Sequence, residues 1–165
     1  QIQHMKFLKN VVSNSSSYQA ILGAIKHKNM PIALTGLSLI HKSHIIYSLC
    51  TEQKRRAFVV AADESEAQRM ANDLQSMGLN SFIYPLRDFN FCDVDGKSRE
   101  YEHKRLNVLL NIINNKSDII ITCIDASLQY TIPKSILKGK TIVLKVSETI
   151  PAEKIINVAM RDMTK

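Results

Sequence analysis

The stretch AFVVAADESEAQRMANDLQSMGLNSFIY, residues 57–84, decides the fold class. It opens on an apolar run, Ala57–Ala62, with no polar position alternating through it, which is how a strand buried on both faces reads. Asp63 follows where a helix N-cap belongs, and Glu66 stands three residues on, the spacing of a capping box. Ala67, Met70, Ala71, Leu74 and Met77 then recur at helical intervals and give the helix one apolar side. Gly78 supplies the left-handed residue at which such a helix stops. A second apolar run, Ser81–Tyr84, closes a strand–helix–strand unit, and a helical crossover makes its two strands parallel.

The same rhythm extends in both directions. Pro31–Thr35, Ile119–Cys123 and Thr141–Val146 are further short runs rich in Ile, Leu and Val. Ser16 and Gln19 form a capping box ahead of a helix running to about Lys28, with Ala20, Ile21, Ala24 and Ile25 inward. Lys42 to Gln53 places Ile45, Ile46, Leu49 and Cys50 on one side. Ser98 caps a longer helix whose stripe is Tyr101, Leu106, Leu109, Leu110 and Ile113, ended by Asn114 and Asn115. Pro151 suits the first turn of a final helix carrying Ala152, Ile155, Ile156, Ala159 and Met163. The predicted fold is therefore α/β: a three-layer, mostly parallel, five-stranded sheet with right-handed crossovers.

A length of 165 residues allows one well-developed core. With 45% hydrophobic and 22% charged residues, the composition excludes a mainly disordered chain. No apolar stretch approaches the length of a membrane span. Gln1–His4 precede Met5 and read as a remnant ahead of the natural start, and nothing after Met5 has the pattern of a signal peptide. Cys50, Cys92 and Cys123 are odd in number and lack metal-ligand spacing, which fits reduced thiols in a cytoplasmic protein. Twenty-two Lys and Arg against fifteen Asp and Glu leave +7, spread along the chain. That charge predicts weak, salt-sensitive and sequence-independent contact with nucleic acid at most.

Between Pro31–Thr35 and the following helix lies Gly36-Leu37-Ser38-Leu39-Ile40-His41-Lys42-Ser43, the length and setting of a phosphate-binding loop. His41 stands where the pattern has its last glycine, and a Cβ with an imidazole crowds the cradle of amides that a phosphate needs. Lys42 and Ser43 keep the positions that reach phosphate and Mg²⁺. After Ile119–Cys123, however, comes Ile124-Asp125-Ala126 rather than an acidic pair to hold the metal, and Asp125 reads as a helix cap. Gly36, His41, Lys42 and Ser43 thus form a degenerate phosphate loop, with no catalytic residue, metal ligand or cofactor expected.

Pro85 to Lys97 breaks the strand–helix rhythm with a loop at the carboxyl end of a strand, where open α/β sheets hold ligands. Phe89 and Phe91 either close the end of the core or anchor a partner that Arg87, Arg99 and Glu100 would orient. His41 and His44 lie three apart without two further ligands for zinc. Glu100 and Lys104 make one i,i+4 pair in a charged helix start, Ser98–Arg105.

These residues together resemble the amino-terminal region of the bacterial transcription-repair coupling factors, the Mfd family, in the part related to the excision-repair protein UvrB. Thr35-Gly36-Leu37-Ser38 ahead of Lys42-Ser43 carries the first part of the likeness. Phe58–Ala62 with Ala67-Gln68-Arg69, Tyr84-Pro85 with Asp88-Phe89, and Arg105-Leu106 with Leu109 continue it. Ile119–Thr122 with Ala126, and Ile132-Pro133 ahead of Gly139-Lys140, complete it. The resemblance implies a RecA-like, helicase-like lobe, domain 1a, over 17–140, preceded by an extension over 1–16. Residues 141–165 would then lead toward the next domain, which in the family holds the UvrA-binding surface. It implies a non-catalytic brace whose contacts are other domains of the same protein. UvrA, RNA polymerase and DNA are expected as partners of the full-length protein, and ATP and Mg²⁺ only in its downstream motor module. The alternative is a UvrB-like lobe that retains ATP binding.

Overall fold

A computed structural model describes residues 12–86, 100–141, 151 and 153. Its elements are α1 (Ser16–Lys26), α2 (Leu39–Gln53), β1 (Ala57–Ala61), α3 (Glu64–Ser76), β2 (Ser81–Tyr84), α4 (Glu100–Ile113), β3 (Ile119–Cys123), α5 (Ile124–Ser127) and α6 (Lys134–Lys140). The chain forms two compact units, Gln1–Gln129 and Tyr130–Lys165. In the second, α6 buries Leu137 and ends where the Thr141 hydroxyl donates to the Leu137 carbonyl at 2.6 Å.

The first unit is built on a parallel sheet of order β1-β3-β2. Ala57 to Ala61 pair with Ile119 to Cys123 on one side of β3, and Ser81 to Tyr84 pair with Ile119 to Thr122 on the other. All five residues of β3 are buried, as a central strand covered on both faces requires. On one face, Ala67, Met70, Ala71, Leu74 and Met77 of α3 pack with Tyr47 of α2 against Ala61, Ile119 and Ile121. On the other, Val108, Leu109 and Ile112 of α4 meet Phe82, Tyr84 and Ile120. Helices thus cover the sheet from both sides, and the expected three-layer α/β arrangement is present.

Helix α3 forms as its sequence predicts. Asp63 is its N-cap and accepts the Glu66 amide at 2.7 Å, while the Glu66 carboxylate reaches back to the Ala62 amide at 2.9 Å. At the other end Gly78 has φ +92, Gly78 N–H bonds to Gln75 O and Leu79 N–H to Leu74 O, a Schellman closure.

Elsewhere the described residues depart from the sequence expectation. Pro31–Thr35 joins no ladder: Pro31 has no amide to give, and the segment is mostly exposed, with Leu34 at 46%. β1 is not buried on both faces, because α4 packs over β2 and β3 and leaves Phe58 64% exposed and Val60 48% exposed. Ser15, not Ser16, caps α1, and the Gln19 amide turns to the Ser13 carbonyl. Helix α2 begins three residues early, at Leu39, and its most buried positions are Ser43, Tyr47 and Ser48. Along α4 the buried line runs through Arg105 and Val108, while Tyr101 and Leu106 face solvent. Of the expected strand Thr141–Val146 only Thr141 is described, as the C-cap of α6; of the helix expected after Pro151 only Glu153 is described, and it is helical; Ser98 lies outside the described residues.

Candidate functional site

Leu39 and Ile40 extend the apolar periodicity of α2 backwards, so the helix takes in most of the segment that has the length of a phosphate loop. Gly36, at φ +73, turns the chain, Ser38 is the N-cap, and the Lys42 amide donates to the Ser38 carbonyl at 3.1 Å. The amide of Lys42 is therefore spent inside the helix, whereas a phosphate cradle needs successive loop amides turned toward one anion.

Gly36, His41, Lys42 and Ser43 meet at this helix start, but the side chains of the last three have other partners. The Ser38 hydroxyl and His41 Nδ1 lie 3.0 Å apart. Lys42 Nζ sits 3.2 Å from Glu66 Oε1 on α3. The Ala62 amide, and after it the Lys42 ammonium, holds the Glu66 carboxyl below the usual carboxylate range. Ser43 is fully buried, with its hydroxyl 3.3 Å from both the Leu39 carbonyl and Asp73 Oδ2. A cavity of about 550 Å³ lies beside them at the carboxyl end of β1, lined by Leu37, Lys42, Ile45, Val60, Glu66 and Ile124 among others. Its wall is mostly apolar, and its one Lys–Glu pair is mutually neutralised.

Glu66 and Asp73 belong to this site, and sequence reasoning reached neither in that role. Glu66 is visible as a helix cap. Its second partner lies 24 residues earlier, and no local spacing signals that contact.

At the carboxyl end of β2, Arg105 is buried and donates to the Pro85 carbonyl and to Gln129 Oε1, each at 2.8 Å. Its guanidinium lies 4.0 Å from the centroid of the Tyr84 ring, within cation–π range. The Thr122 hydroxyl donates to the Tyr84 carbonyl at 3.0 Å, and Glu64 accepts the Leu86 amide at 2.9 Å. These bonds fix Pro85 and Leu86 at the carboxyl end of β2. Arg87, Phe89, Phe91, Cys92 and Arg99 lie outside the described residues. Glu100 opens α4 and pairs with Lys104 at 2.7 Å, as the i,i+4 spacing predicts. Cys123, rather than Asp125, is the N-cap of α5, and Asp125 lies in its exposed first turn. Among the described residues no group of three or more His, Cys, Asp and Glu could hold a metal ion.

No family model matches the chain. Over 153 residues, 92% of its length, it is 20% identical to the transcription-repair-coupling factor of Bacillus subtilis (strain 168). The chain is similar to a coupling factor. It spans 13% of the length of that relative, and the similarity fits a domain of a DNA-repair protein. No solved structure matches. No helix among the described residues is long and apolar enough to cross a membrane.

Proposed function

We propose that this chain is a non-catalytic structural and interaction domain of a transcription-repair coupling factor, the domain 1a-like lobe that braces the UvrA-recruiting module of an ATP-dependent DNA translocase. The observation that carries this reading is the fate of Lys42. A phosphate-loop lysine must be free to reach the β- and γ-phosphates, and this one is paired with Glu66 at the start of a helix that already includes His41. Ser43 is equally committed, buried against Asp73. The similarity to a coupling factor along 92% of the chain supports the repair setting.

The expected partners are the other domains of the same protein and, through them, UvrA, RNA polymerase and DNA. ATP and Mg²⁺ belong to a motor module elsewhere in the full-length protein. Calorimetric titration with ATP, with and without Mg²⁺, tests the reading. The expected result is no ATP hydrolysis and no binding tighter than about millimolar, an affinity near −4 kcal/mol. A micromolar, Mg²⁺-dependent site would overturn it in favour of a nucleotide-binding, UvrB-like lobe.

A further inference from the structure

The amino-terminal ends of the strands lie on the other edge of the sheet from Lys42, and there α1 and α2 both terminate. Lys26 and Lys28 close α1, and Lys54 and Arg55 follow α2. All four are exposed, and among the described residues none of their side chains makes an ion pair or hydrogen bond. A groove of about 560 Å³ opens between the two helix ends. Leu22, Gly23 and Ile25 give it an apolar patch, its floor, and the three cations Lys26, Lys28 and Arg55 line it together with the amides of Gln19 and Gln53.

Gly23 is the telling residue. It sits inside α1, where glycine weakens a helix relative to alanine. Neither of the usual reasons for glycine applies, since a Cβ built there meets nothing within 4 Å and the backbone is not left-handed. Gly23 lines the groove, so a long side chain at that position would stand in the space the groove now offers. Cations near helix carboxyl termini complement the exposed carbonyls, which accounts for Lys26 in the last turn of α1. That complement explains neither the apolar floor nor the glycine.

We propose that this groove binds an acidic segment of a protein partner, seating one apolar side chain against Leu22 and Ile25 over Gly23 while flanking carboxylates meet Lys26, Lys28 and Arg55. A nucleic-acid backbone would use the cations but gain nothing from the floor, and three exposed cations lining the groove favour an anionic occupant over a neutral one. The proposal rests on reading the chain as an interaction domain, but its test is separate from the nucleotide titration, so either reading can fail alone.

Fluorescence anisotropy on the full chain with three labelled probes decides it: a short Glu-Glu-Leu repeat peptide, a Glu-Glu-Ser repeat peptide of equal charge, and a short DNA duplex. The leucine peptide is expected to bind about tenfold or more tightly than the serine peptide, the gain from burying one or more leucines. Gly23→Met should abolish that preference without lowering the melting temperature, because it fills the floor and improves the helix. Lys28→Glu with Arg55→Glu should weaken both peptides about tenfold or more, the loss of two charge contacts. Equal binding of the two peptides, a preference that survives Gly23→Met, or a duplex bound more tightly than the leucine peptide would overturn the proposal.

Discussion

The Glu66 carboxyl group joins the Ala62 amide to the Lys42 ammonium, while the Glu66 backbone amide donates to the cap at Asp63. Its lowered pKa makes a signed prediction. A carboxylate depressed in the folded state contributes stability that is fully present above its ordinary pKa, near ~4.3, and lost as pH falls from there through the lowered value. Urea denaturation followed across that acid window should show a shallower loss of stability in Glu66→Gln than in the parent, and parallel curves would refute the linkage. Arg105 supplies a second test. Arg105→Met keeps much of the stem packing but leaves the buried Pro85 carbonyl without this donor, so a loss of about 2–3 kcal/mol is expected in chemical denaturation. A change near zero would mean that the guanidinium adds nothing at the loop base. The capping role of Glu66 is legible in the sequence, but its pairing with Lys42 and the place of Arg105 are not. Local spacing finds pairs such as Glu100–Lys104, whereas Lys42–Glu66 and Arg105–Gln129 each span 24 residues and exist only once the fold has brought them together. Arg105 also sits in the charged helix start Ser98–Arg105, where no local spacing signals burial, and only its place over Tyr84 shows it.

Elements were easier to read than their faces. β2, β3 and α3 follow the sequence expectation closely, because their apolar periods and stop signals are local and agree with one another. α2 departs from the expectation at its start, since the phosphate-loop pattern predicts a loop where Leu39 and Ile40 continue the helix. β1 shows why a run of apolar residues does not establish two-sided burial: Ala-Phe-Val-Val-Ala reads like β3, yet only Ala61 of its five residues is fully buried. The two strands therefore predict opposite outcomes for similar truncations. Ile121→Ala removes a fully buried side chain from the centre of the sheet and should cost about 2–5 kcal/mol. Phe58→Ala acts on a ring 64% exposed and should stay within about 1 kcal/mol. Equal costs for the two would mean that the free face of β1 is covered in solution.

At the scale of the whole molecule, the +7 charge looks evenly distributed in the sequence, with basic residues from Lys6 to Lys165. Folding gathers part of it, because the ends of α1 and α2 bring Lys26 and Lys28 beside Arg55, residues far apart in the chain. That gathering sets the form of any contact with nucleic acid. Each phosphate neutralised on a duplex contributes about −0.9 to the slope of log K against log salt, so engagement of all four cations of this edge bounds the slope near −3 to −4. Among the described residues the exposed aromatics are Phe58, Tyr101 and Tyr130, and none of them lines the groove, so base stacking adds nothing there. Binding to a random-sequence duplex is therefore expected only at low salt, with affinity near the non-specific range of about 10⁻⁴–10⁻⁶ M and no preference among sequences. Anisotropy over a salt series measures both quantities. Lys28→Glu with Arg55→Glu should flatten the slope by about 2, one for each lost phosphate contact, while lowering the melting temperature only slightly, because both side chains are exposed and the reversal acts on the fold only through the two helix ends. Sub-micromolar affinity that persists at high salt, or a slope indifferent to those reversals, would place nucleic-acid recognition on another surface of the chain and detach the basic edge from it.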